Sequence, residues 1–135
     1  MLLIALIPLL LIVAGIGVWL LISRPPAQPG VDEGRVVADA FLASIRDGRP
    51  DDAWQSTTAE FKSAEGREVF RKRVAKMPVL KSPLEFVSMQ TVEVGDQSRG
   101  EFLYRSSQGE TAGKTVRLLV GNEYGAWKVD RLTTE

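Results

Sequence analysis

The twenty-one residues from Leu2 to Ile22 carry no charged side chain, and this run constrains the chain more than anything that follows it. At about 1.5 Å of rise per residue, a helix of that length spans roughly 31 Å, the hydrocarbon thickness of a bilayer. Eight Leu, five Ile and two Val within it favour insertion by roughly 5 kcal/mol, before Pro8, Gly15 and Gly17 take some back. A cleaved secretory signal fits less well, since it wants a positive n-region, a shorter apolar centre and a small-x-small site. Here the amino group of Met1 is the only upstream charge, and Ile22-Ser23-Arg24-Pro25-Pro26 is a poor cleavage site. The expectation is an uncleaved, single-pass transmembrane anchor over residues 1–22, with the lipid bilayer as partner of residues 2–22. Gly15 and Gly17 lack the small-xxx-small spacing of a helix dimer seam, so nothing predicts self-association through the membrane. Arg24 and Arg35 flank the run on its far side, and positive-inside counting leans towards a cytoplasmic domain.

Residues 23–30 read Ser-Arg-Pro-Pro-Ala-Gln-Pro-Gly. Three prolines in eight residues make an extended spacer that reaches roughly 25 Å at about 3.1 Å per residue. Residues 31–135 then suffice for one domain with one core and are too few for two. The formal net charge of zero argues against nucleic acid as a partner, because a footprint on phosphates needs an excess of Lys and Arg. Without Cys there is no thiol nucleophile and no thiolate metal site, and without His the commonest general base and metal ligand are missing. No metal or other cofactor is expected.

Within the domain, Asp32 to Arg46 has helical period, with Val37, Ala38, Phe41, Leu42 and Ile45 in one arc and Arg35, Asp39 and Arg46 opposite. That places Asp39 in solvent beside Arg35. Asp47-Gly48 stops this helix and Arg49-Pro50-Asp51-Asp52 opens a second, in which Ala53, Trp54, Thr57, Thr58 and Phe61 form a short apolar face. A third helix is expected from about Ala64 to Lys76, with Ser63 as cap and Phe70, Val74 and Met77 inward. Its remaining circumference carries Arg67, Arg71, Lys72, Arg73 and Lys76. Residues 62–81 hold seven basic against two acidic side chains, whereas residues 31–60 hold seven acidic against three basic. The basic patch suits anionic lipid or an acidic partner, or else is a solvated face complementing the acidic first helix.

Beyond Met77-Pro78 the period becomes alternating. Leu84–Val94, Glu101–Ser106, Lys114–Val120 and Ala126–Leu132, separated by glycine-containing turns, read as an antiparallel meander. The apolar phase of the first strand slips between Met89 and Val92, which predicts a bulge near Gln90. Inward positions are Phe102 and Tyr104, then Val116, Leu118 and Val120, then Trp127 and Val129. Glu101, Lys128 and Asp130 fall on the outward phase. The fold class is α+β: an N-terminal transmembrane helix, then three helices packed on a curved four-stranded antiparallel sheet.

This order, with Phe41-Leu42-Ala43-Ser44-Ile45-Arg46-Asp47-Gly48 near the start and Gly125-Ala126-Trp127-Lys128-Val129-Asp130 near the end, resembles the nuclear-transport-factor-2-like superfamily. The likeness is to its small bacterial members with a leading membrane anchor. It covers about Val31 to Leu132 and implies a cystatin-like α+β cone with a pocket between helices and sheet. The resemblance also implies a domain outside the cytoplasm, which outweighs two arginines. The superfamily includes isomerases, cyclases and dehydratases using Asp, His and Tyr. This chain has no His, and Tyr104 is the one such group on the inward phase, so an enzyme is not expected. The leading reading is a membrane-tethered, non-catalytic interaction or assembly domain with a membrane protein partner. Its alternatives are an apolar ligand pocket lined by Trp54, Phe70, Phe102, Tyr104 and Trp127, and a degenerate isomerase-like enzyme.

Overall fold

The computed structural model describes residues 31–135. The expected anchor and spacer lie outside the described residues, among which no helix is long and apolar enough to cross a membrane. The domain is α+β. Helix α1 (Val31–Arg46) leads into three short helices, α2 (Pro50–Gln55), α3 (Ala59–Ala64) and α4 (Arg67–Ala75). Four antiparallel strands follow in the order β1-β2-β3-β4: β1 (Leu84–Val94), β2 (Gln97–Ser106), β3 (Thr115–Glu123) and β4 (Ala126–Thr134).

Helix α1 turns the arc read from its period onto the sheet, burying Ala38, Phe41, Leu42 and Ile45. It stops at Gly48, whose φ of +79° suits glycine, and the Arg49 amide closes back onto Ser44 O at 2.8 Å. The second and third helices divide differently from the expectation, giving four helices where three were predicted. The apolar face of Trp54 to Phe61 is split at Ser56–Thr58, because Thr57 leaves the helix to form a parallel bridge with Val129 of β4. Thr58 then caps α3, its hydroxyl oxygen accepting from the Phe61 amide at 3.2 Å. Ser63 is therefore interior to α3 and no cap. The chain breaks again at Glu65-Gly66, where the Trp54 indole donates to Glu65 O at 2.9 Å.

The sheet carries two irregularities. In β1 the register shifts between Phe86 and Ser88, so the bulge falls at Val87 and not near Gln90. Pairing runs unbroken from Ser88 to Val94, which puts Val92 and Val94 on the face opposite Met89. In the β3–β4 pair Leu119 faces Arg131 and Val120 faces Val129, leaving Asp130 as the extra residue. The core lies between α1, α4 and the sheet, with Phe70, Phe102, Val116, Leu118, Val120 and Val129 all fully buried.

Candidate functional site

Of the five aromatic residues expected to line an internal pocket, three fill the space instead. Phe70 packs between Phe41 and Phe61 at ring separations of 6.0 and 5.7 Å, and Phe86 packs on Phe102 and Tyr104 at 6.3 and 5.8 Å. Phe70 and Phe102 are 0% exposed and Tyr104 is 3% exposed, so none of these rings presents a wall to a ligand. Trp54 and Trp127 are half-buried at separate places. The Trp54 ring lies under Lys62 Nζ at 5.3 Å, while the Trp127 indole donates to Glu33 Oε2 at 3.1 Å.

Tyr104 nonetheless reaches a polar group. Its hydroxyl donates to Asp39 Oδ1 at 2.6 Å, and Arg35 holds the other oxygen at 3.6 Å while lying over the Phe86 ring. Asp39 is thus beside Arg35 as expected, yet it also anchors a core tyrosine, which its outward helical position did not suggest. Burial, and then the Asp39 carboxylate, push ionisation of the phenol far above its ordinary range. A proton held that firmly suits a structural hydrogen bond and not a general base.

The most concentrated polar site lies elsewhere, where α3 meets the start of β2, the end of β3 and the middle of β4. Arg99 of β2 and the bulged Asp130 of β4 are both about nine-tenths buried and form an ion pair, Nε to Oδ2, at 2.7 Å. The Nε–H does not point along that line, so the contact is Coulombic more than hydrogen-bonded. Neither Nε nor Nη1 has an acceptor among the described residues. Thr58 donates its hydroxyl to Asp130 Oδ1 at 2.7 Å, and Glu60 stands 3.9 Å from Nη2 on the exposed rim. Gly121 makes room for this arrangement, since a β-carbon there would sit 3.1 Å from Arg99 Nε. Glu123 completes the group, accepting from the Ala59 amide at 2.7 Å and from Lys128 at 3.3 Å. The Ala59 bond, with Lys128 behind it, holds this carboxyl below the usual glutamate range.

These side chains line a cleft of about 430 Å³ that runs out to Gln97 and Tyr124. A second cleft of about 390 Å³ shares Glu60 and Asp130 and continues along Phe61, Glu65, Arg73 and Leu132. Both oxygens of Asp130 are engaged, so it is no free base. No group of three His, Cys, Asp or Glu among the described residues could hold a metal ion. The arrangement can recognise polar groups through the Thr58 hydroxyl, the Arg99 guanidinium and the Glu60 and Glu123 carboxylates.

The basic patch is divided. Arg71 makes a two-pronged contact with Asp51 at 2.8 and 2.9 Å, and Arg73 binds Glu65 at 2.7 Å and Leu132 O at 3.3 Å. Arg67, Lys72 and Lys76 remain exposed, together with Val69 at 62% exposure. A scan against models of protein families returns no match for this chain, and a search of curated proteins returns none either.

Proposed function

We propose that residues 31–135 are a non-catalytic interaction and assembly domain of the nuclear-transport-factor-2-like kind, tethered outside the cytoplasm by residues 2–22. The observation carrying this reading is the filled interior: the rings that would have walled a pocket between helices and sheet pack on one another. With the aromatic core closed, recognition falls to the surface, where α4 presents Val69 beside Lys72 and leads into Lys76, with Arg67 exposed at its start. An apolar ligand between helices and sheet, and isomerase-like chemistry there, both need space that the aromatic cluster occupies.

The test is affinity capture of the full-length protein from native membranes in mild detergent, alongside a variant carrying Arg67→Glu, Lys72→Glu and Lys76→Glu. The expected result is one membrane protein in stoichiometric amount, lost from the variant. Recovery of the protein alone, or of the same partner with both proteins, refutes the proposal.

A further inference from the structure

The turn joining β3 to β4 places a tyrosine where the backbone disfavours one. Tyr124 has φ +50° and Gly125 φ +86°, the left-handed pair of a tight hairpin turn in which Asn-Gly is the preferred sequence. Tyr124 is also 101% exposed, so no described residue packs on the ring to compensate. A bulky side chain in a left-handed conformation with no contact of its own is a feature to be explained by what lies outside the domain.

The position of the turn supplies the explanation. Trp127, three residues on, pairs with Asn122 and donates to Glu33, and Glu33 is two residues from Val31, where the described chain begins. The hairpin tip therefore stands at the end of the domain from which the eight-residue spacer leads to the apolar run. The exposed cations of α4 stand farther off. Phe70 of α4 packs on Phe41, and Val74 lines a crevice with Ile45, which are about 12 and 18 Å along α1 from Glu33.

We infer that the β3–β4 hairpin tip rests on the bilayer, with Tyr124 in the headgroup zone, and that this contact sets the orientation of the domain. The inference depends on residues 2–22 being a membrane anchor. An amphipathic ring with an apolar body and a polar end suits that zone. A single weak contact is sufficient there, because the short spacer holds the tip at high effective concentration near the surface. Around the tip Glu33 and Glu123 outnumber Lys128, which is itself paired with Glu123, so the contact is with zwitterionic lipid and gains nothing from anionic headgroups. The basic face of α4 is left clear of the membrane.

The chain has no cysteine, which permits single-site labelling. Full-length protein carrying Ala126→Cys or Lys72→Cys, each with an environment-sensitive fluorophore, is reconstituted into phosphatidylcholine vesicles containing a lipid-borne quencher. The expected result is several-fold stronger quenching at 126 than at 72, unchanged by high salt or added anionic lipid. Tyr124→Asn, which suits the turn and keeps the fold, brings quenching at 126 down to the level at 72. Equal quenching at the two sites in vesicles that retain the protein through alkaline carbonate overturns the inference. So does deeper quenching at 72 that appears only with anionic lipid. Release of the protein by carbonate removes the anchor and this inference together.

Discussion

Replacing Asp130 with Ala leaves the buried Arg99 guanidinium with only the solvent-exposed Glu60, 3.9 Å from Nη2. Arg99 and Asp130 retain only 9% and 8% of their side-chain exposure and approach to 2.7 Å, and Thr58 supplies the one hydroxyl donor to the carboxylate. At an effective dielectric of about 20, unit charges at such separations attract by roughly 4 to 6 kcal/mol. Desolvation of both groups offsets several kcal/mol of that, so the intact pair adds little net stability. Removing one partner is different, because the cost of burying the other charge remains. Asp130→Ala is expected to lose about 3 to 5 kcal/mol, a large share of a small domain's stability. Arg99→Ala combined with Asp130→Ala removes both charges and is expected to lose clearly less than the sum of the two single substitutions. The assay is urea unfolding of the full-length protein in detergent, with Trp19→Phe in every variant so that emission comes from Trp54 and Trp127, and with the four proteins arranged as a double-mutant cycle. An Asp130→Ala loss below about 1 kcal/mol, or a double variant losing the sum of the singles, refutes the reasoning.

The carboxyl of Glu123 is held below its usual range by the Ala59 amide, so its stabilising effect is present above the unfolded value of about 4.3 and lost as pH falls through the folded one. Glu123→Gln should therefore be less stable than wild type at pH 7, by under about 1 kcal/mol for a partly exposed group, with the two denaturation midpoints converging as pH falls below the unfolded value. Tyr104→Phe forfeits the hydrogen bond to Asp39 and should lose about 1 kcal/mol at pH 8. Because folding raises the ionisation of this phenol, that gap should narrow above about pH 10, where the unfolded tyrosine ionises first; a constant gap up to pH 11 would contradict the assignment. Phe102→Ala opens a fully buried site and should lose about 3 to 5 kcal/mol by urea unfolding, with an apolar dye or xenon entering the new cavity. Tyr124→Asn should stabilise the domain by about 0.5 to 1 kcal/mol in detergent, as a residue tolerant of left-handed backbone replaces one that is not.

The arc of α1 and the four strands could be read from period alone, because each element turns a regular stripe of apolar residues onto one shared core. What period could not show are the places where the chain departs from its own regularity to meet a distant partner. Thr57 and Thr58 look helical until Val129 and Asp130 claim them. The bulge at Asp130 did leave a trace: Val129 and Leu132 are both buried, and two residues between inward positions cannot be accommodated in an unbroken strand, which allows one. Reading Leu132 as inward would have placed the extra residue at 130 or 131. In β1 the same logic was misled by Val92 and Val94, valines half-covered on the opposite face, and so moved the bulge from Val87 towards Gln90. Arg99 gave no signal, since it precedes the expected start of the second strand at Glu101 and an isolated arginine beside a turn is ordinarily solvated. Its burial follows from Gly121 across the strand and from a carboxylate that only the bulge brings into reach.

The segment beside β4 also decides how many copies of this molecule can join strand to strand. Ser56 and Thr58 take the amide and carbonyl of Val129, and Arg73 takes the carbonyl of Leu132, so that margin of the sheet is already occupied. Growth of an extended ladder needs two open margins per molecule, one to receive and one to offer. Among the described residues only β1 remains to be matched, and β1 joined to β1 closes the assembly at two. Crowding can thus yield pairs of these domains through their sheets, while fibres would first require Ser56–Thr58 to be pulled away.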